Sequence, residues 1–126
     1  MSLPLHGIRV LAIEQFGAGP YGSMYLADLG AEVIKIENRD SGGDPSRNTG
    51  AALMSDNDSP YFQTFNLNKK SITLNLKSEV GKAMFHDLVK TADVIWNNLR
   101  GNQPRRLGLD YANLREIKEN IVCTHI

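Results

Sequence analysis

The segment Gly17-Ala18-Gly19-Pro20-Tyr21-Gly22 matches G-x-G-x-x-G, the pattern with which a backbone turns tightly from a strand into a helix. Glycines permit close backbone approach, and the helix N-terminus that follows offers unpaired N–H groups and a partial positive charge to a phosphate. Glu37 lies 20 residues after Gly17, where a carboxylate often takes ribose hydroxyls. On this pattern alone the chain reads as an NAD-binding module. The competing reading is that small residues here only let the strand and helix pack closely. Lys35, Arg39 and Arg47 form a basic group near Glu37 suited to a further phosphate. Farther on, "NLNKKSITLNLKS" and "NNLRGNQPRRLGLDY" place amide and basic side chains at strand ends. Asn98, Arg100, Arg105 and Arg106 there could donate to adenine edges or phosphates, or pair with surface carboxylates. His6, His86 and His125 share no metal-ligand spacing, and no metal is expected. Neither a hydrolase triad nor an acid/base pair of carboxylates stands out.

These side chains need elements to position them. Residues 8–14 form an aliphatic, β-branched run that reads as a buried strand. The glycine turn follows, then a helix with Pro20 in its first turn and Gly30 at its exit. Residues 31–37 are a second strand, so the unit is a right-handed parallel βαβ. Residues 38–60 lack periodicity and read as a long loop, either functional or a solvated linker. Residues 71–78 give a third strand, followed by a helix with Ser78 as N-cap. Residues 92–98 give a fourth strand, then a basic loop, a short helix capped by Asp110, and a fifth strand in "IVCTHI". The fold class expected is α/β, a Rossmann-like open parallel sheet with flanking helices.

Length and composition narrow the possibilities. At 126 residues, one compact core is expected and no second domain. The 14 basic and 14 acidic side chains cancel, so no global field favours nucleic acid or an anionic membrane, and any anion site must be local. Apolar runs fall far short of the roughly 20 residues that span a bilayer, and no signal pattern opens the chain. A cytoplasmic location is expected. The single cysteine, Cys123, cannot form an internal disulfide.

Four ordered blocks are more specific than the glycine pattern. They are "PLHGIRVLAIEQFGAGPYGSMYLADLGAEVIKIE", "FNLNKKSITLNLKSEVGK", "ADVIWNNLRG" and "RRLGLDYANLRE". Together they resemble the family III CoA-transferases, the CaiB/BaiF group that includes formyl-CoA transferase, carnitine CoA-transferase and α-methylacyl-CoA racemase. The resemblance runs through essentially the whole chain. It implies that the glycine turn serves coenzyme A, an ADP carrying a 3′-phosphate. By position, the family's CoA contacts fall on Gly17, Ala18, Leu74, Asn75, Leu76, Lys77, Asn98, Leu99, Arg100 and Arg106. Formyl-CoA transferases carry Gln in place of Gly17 and Arg in place of Asn38, with Arg39 one position later as the replacement. Their R-P-G turn becomes Arg100-Gly101-Asn102.

The resemblance implies a longer parent of two domains, built as an interlocked homodimer, that moves CoA between an acyl-CoA and a carboxylic acid. Its catalytic aspartate attacks the thioester through mixed anhydride and aspartyl-CoA intermediates, and lies outside this chain. The chain is then an N-terminal, CoA-binding part, expected to be catalytically silent alone. A non-catalytic interaction fragment with an open fifth-strand edge is the other alternative.

Overall fold

The computed structural model describes residues 2–126. Five strands form one sheet: β1 (Arg9–Ile13), β2 (Glu32–Glu37), β3 (Lys70–Thr73), β4 (Val94–Asn97) and β5 (Val122–His125). All neighbours pair in parallel, in the order β3-β2-β1-β4-β5. The expected α/β open parallel sheet is therefore what the chain forms. The chain steps outward from β1 through β2 to β3, then returns to the other side of β1 for β4. That reversal opens a crevice beyond the C-terminal ends of β1 and β4, where α/β sheets receive ligands.

Strand alternation divides the core into two layers. Val10, Ala12 and Val33 face α1 (Ala18–Asp28), packing with Ala27, Ala31 and the half-buried Trp96. Leu11, Ile13, Ile36 and Ile95 face the other way. There they meet Phe85 and Val89 of the helix Glu79–Val89, and Leu109 and Leu114. Burial on both faces explains why β1 reads as a continuous apolar run.

The expected loop over residues 38–60 is ordered by local capping. Two 3-10 turns, Arg39–Ser41 and Pro45–Asn48, begin at Asn38 and Asp44, whose side chains accept from Asp40 N and Ser46 N. A helix follows that periodicity does not reveal, α2 (Pro60–Phe65), with Ser59 as N-cap. The third strand stops at Thr73 rather than Ser78 because Leu74 N makes the last bond to β2, at Glu37 O, 3.0 Å. Asn75 then folds back, its Oδ1 accepting from Lys77 N at 2.9 Å. Ser78 caps the next helix, α3 (Glu79–Val89), as expected, accepting from Gly81 N. The basic loop holds a further turn of helix, α4 (Gln103–Arg106), with Pro104 in its first turn. Asp110 caps α5 (Tyr111–Leu114), shorter than the eleven-residue segment it opens. No helix among the described residues is long and apolar enough to cross a membrane.

Candidate functional site

The turn from β1 into α1 is gripped from three sides. Gln15 donates its N–H to Asn98 Oδ1 at 3.0 Å, and its carbonyl accepts from Asn98 Nδ2 at 2.9 Å. Phe16 adopts φ 61°, an uncommon conformation for a side-chain-bearing residue, and donates its N–H to Asp44 Oδ1 at 3.2 Å. Trp96 Nε1 donates to Gly19 O at 3.0 Å. A Cβ on Gly19 would lie 2.7 Å from Asn98 Cγ, and one on Gly22 would lie 2.5 Å from Trp96 Cζ2. Two of the three motif glycines thus serve the packing of α1 on β4. Gly17, the N-cap of α1, brings no side chain to the helix end, so the first N–H groups of the helix have no side-chain cap.

Below the turn lies a buried ionic cluster. Lys35 Nζ is 2.8 Å from Asp44 Oδ2 and 3.8 Å from Glu14 Oε1. Lys69 Nζ donates to Glu14 Oε1 at 2.9 Å, to Pro20 O at 2.8 Å and to Asn66 Oδ1 at 3.1 Å. Ser23 Oγ also donates to Glu14 Oε1, at 2.7 Å. Burial pushes the Lys69 ammonium below its ordinary value, and the Glu14 carboxylate works against that push. The cluster ties the 38–60 segment, α2 and α1 to the end of β1. Glu14, Asp44 and Lys69 do not announce themselves in the sequence. Lys35 does give a sign: a cation between two isoleucines of a buried parallel strand must find carboxylates.

The basic group expected around Glu37 is dispersed. Lys35 is sealed in the cluster. Arg47 clamps Glu37 through two bonds, Nε to Oε2 at 2.8 Å and Nη2 to Oε1 at 2.6 Å, with its guanidinium 3.8 Å over the Phe62 ring. Glu37 also accepts from Ser71 Oγ at 2.5 Å and from Asp44 N at 2.8 Å. Its carboxylate is saturated inside the protein, so the ribose-binding role that the glycine pattern suggested is not open to it. Burial pushes this carboxyl up, but Arg47, Ser71 and the Asp44 N–H outweigh it and bring it down to about 2.

Most of the remaining candidate residues line one continuous cleft along the C-terminal edge of the sheet. Gly17, Ala18, Asn98, Leu99 and Arg100 border a hollow of about 600 Å³. Leu74, Asn75, Leu76, Lys77 and Leu99 border the next, about 190 Å³, which shares Gln15, Leu99 and Gln103 with the first. Leu76, Lys77 and Arg106 border a third, about 340 Å³, that shares Leu76, Lys77, Gln103 and Leu107 with the second. Arg39 stands apart, in a hollow with Glu37, Arg47 and Asn57, while Asn38 lines the cleft itself. Gln15, Gln103 and Lys82 line the cleft without having been singled out. Gln15, directly after β1 at the switch point, was findable from topology.

The charges sort by location. Arg39, Lys77, Arg100, Arg105 and Arg106 make no ion pair among the described residues, whereas every other basic side chain does. All five follow the C-terminal ends of strands. In a chain of balanced charge, that rim is where an anion finds uncommitted partners.

The molecule is an α/β protein, an open parallel sheet with a glycine turn, amide side chains and cations unpaired among the described residues at the edge where sheets of this class receive ligands. The chain belongs to CoA-transferase family III, whose profile matches residues 5–126, as the four sequence blocks led us to expect. It is 38% identical over 128 residues to the succinate–glutarate CoA-transferase of Agrobacterium fabrum, covering 98% of this chain and 32% of that one. It is 39% identical over 126 residues to the formyl-CoA:oxalate CoA-transferase of Streptomyces avermitilis, covering 100% of this chain and 30% of the relative. The fold matches that of a CaiB/BaiF family protein from Brucella suis with a TM-score of 0.88, 32% identity and coverage of 99% and 33% of the two chains. Rv3272 from Mycobacterium tuberculosis matches with a TM-score of 0.86 and 37% identity, over 98% of this chain and 33% of that one. The chain spans about a third of the length of these relatives.

Proposed function

We propose that this chain is the coenzyme A-binding part of an enzyme that moves CoA between an acyl-CoA and a carboxylic acid. The 126 residues form the N-terminal portion of its large domain. The acyl chemistry runs on an aspartate outside this chain: its carboxylate attacks the thioester carbonyl and releases CoA thiolate, leaving a mixed anhydride. The thiolate then attacks the aspartyl carbonyl and expels the acyl carboxylate, giving the aspartyl-CoA thioester. The whole enzyme acts as an interlocked homodimer in the cytoplasm, and uses no metal.

One observation carries the reading. The unpaired cations, the uncapped end of α1 and the amide side chains all gather on a single edge of the sheet. Gly17, Ala18 and Arg100 suit the diphosphate, which a helix N-terminus and a guanidinium both favour. The narrow middle hollow, walled by Ile13, Ile36, Leu74, Leu76 and Leu107 with Asn38 and Gln103 at hand, suits a flat purine with polar edges. Asn98 holds the Gln15 backbone, so its contribution is to shape the turn as much as to meet the ligand.

Thermal unfolding of the chain with CoA or NAD tests this. A ligand that binds only the folded state raises the midpoint by mass action. CoA is expected to raise it and NAD to leave it unmoved. A rise with NAD and none with CoA would overturn the assignment.

A further inference from the structure

Between the end of β1 and the N-cap of α1, four consecutive backbone groups are each held by a side chain. Lys35 Nζ donates to Glu14 O at 3.2 Å. Asn98 takes both polar groups of Gln15, and Asp44 Oδ1 accepts from Phe16 N at 3.2 Å. Asn98 borders the cleft, whereas Lys35 and Asp44 are almost wholly buried, their charged atoms 2.8 Å apart. The buried pair therefore grips the chain on either side of Gln15, at Glu14 and at Phe16.

That grip falls where the backbone needs it. Phe16 lies at φ 61°, a conformation an L-residue enters at a cost and keeps only where its surroundings enforce it. Asp44 is itself fixed from several sides. Its N–H donates to Glu37 Oε2 at 2.8 Å, and its Oδ1 also accepts from Ser46 N at 2.9 Å. Ser59 Oγ then holds Ser46 O at 2.6 Å. The other half of the ionic cluster acts elsewhere: Lys69 and Ser23 meet Glu14 and the Pro20 carbonyl, inside α1.

We propose that Asp44, with Lys35 behind it, is a positioning residue for the ligand-binding turn: it locks Phe16 left-handed and so aims Gln15 and the first turn of α1 at the cleft. The inference rests on the proposal that this cleft takes CoA, although Asp44 lines none of it. It also accounts for a lysine in the middle of buried β2. An apolar side chain there would leave the Asp44 carboxylate without its counter-charge and Glu14 O without its donor.

The test separates the hydrogen bond from the charges. Lys35→Met/Asp44→Asn removes both charges and keeps an acceptor for Phe16 N, whereas Lys35→Met/Asp44→Leu removes the acceptor too. Neutral residues of similar volume commonly replace a buried ion pair without unfolding the chain. Ser59→Ala loosens the same segment at Ser46 and leaves the bonds of the turn alone. Amide exchange at Phe16 and titration with CoA are read on each chain, with circular dichroism to verify folding. The Phe16 amide is expected to be protected in wild type, in Ser59→Ala and in the Asp44→Asn chain, and unprotected in the Asp44→Leu chain. CoA is expected to bind the Asp44→Asn chain within about threefold of wild type and the Asp44→Leu chain about tenfold more weakly. Ser59→Ala is expected to lower the melting midpoint while changing affinity less than about twofold. Equal affinities of the two double variants, or a loss in Ser59→Ala equal to that of Asp44→Leu, would reduce Asp44 to a packing role and overturn the proposal. An unprotected Phe16 amide in wild type overturns it even where the Asp44→Leu chain does not fold. If folded wild type binds no CoA, the CoA reading falls, while a Phe16 amide released only in the Asp44→Leu chain still upholds the positioning of the turn.

Discussion

Glu37 shows how one side chain can be read correctly by position and wrongly by role. Burial favours its neutral form, yet two bonds from Arg47, one from Ser71 and one from the Asp44 N–H hold the carboxyl at about 2 against an ordinary 4.5. A carboxyl whose value is lower in the folded state adds stability that is complete above its unfolded value and lost as pH falls. The loss should therefore run from about pH 4.5 to about pH 2. Glu37→Gln is expected to lower stability at pH 7 by roughly 2 kcal/mol, with solvent screening of the half-buried Arg47 discounted, and to flatten the acid limb. Urea midpoints taken between pH 7 and pH 3 measure it, and an unchanged acid slope in the variant would contradict the assignment. Arg47 was placed near Glu37 from the sequence but as a phosphate ligand; that it clamps the carboxylate was not legible, because it arrives through an irregular segment that no periodicity fixes. The N-caps Ser78 and Asp110 were legible, since each depends only on residues three positions away.

At the scale of elements, all five strands and both long helices were legible: burial on two faces writes a continuous apolar run into β1, whereas the edge strand β3, largely exposed, showed by alternation and α3 by its helical period. α2 and α4 escaped notice, being too short for a helical period to show and beginning at or beside proline. The early end of β3 matters more for the site, because it frees Leu74–Lys77 from the sheet to form the wall of the cleft. That turn rests directly on α3. A Cβ on Gly81 would collide with the Asn75 carbonyl oxygen, a backbone atom that cannot move aside without moving the turn. Gly81→Ala would gain about 1 kcal/mol of helix propensity and lose about 1–3 kcal/mol to the clash. We predict a net loss of up to about 2 kcal/mol, read as a fall in melting midpoint of up to several degrees, and a fall in CoA affinity of at least about fivefold, read by titration calorimetry. Unchanged affinity would show that the position of the turn does not govern the ligand.

Over the whole molecule, charge balance and strand order act together. Equal numbers of acidic and basic side chains leave no net field, and most cations are consumed in pairs. The five that are unpaired among the described residues lie on the edge of the sheet at the C-terminal ends of the strands. Composition could show only that an anion site must be local; the fold shows which side chains have no other partner. The packing reading of the glycine pattern holds at Gly19 and Gly22, but the side chains they pack against, Asn98 and Trp96, were beyond the sequence, since they come from β4 and the residue after it. The central claim is that CoA lies along this edge. An amide chemical-shift map of the isotope-labelled chain during CoA titration tests it residue by residue. The account predicts shifts at Gly17, Ala18, Leu74 to Lys77, Leu99, Arg100, Gln103 and Arg106. Shifts confined to the opposite edge, around His6, Arg9 and Thr91, or no shifts from a folded chain, would contradict it.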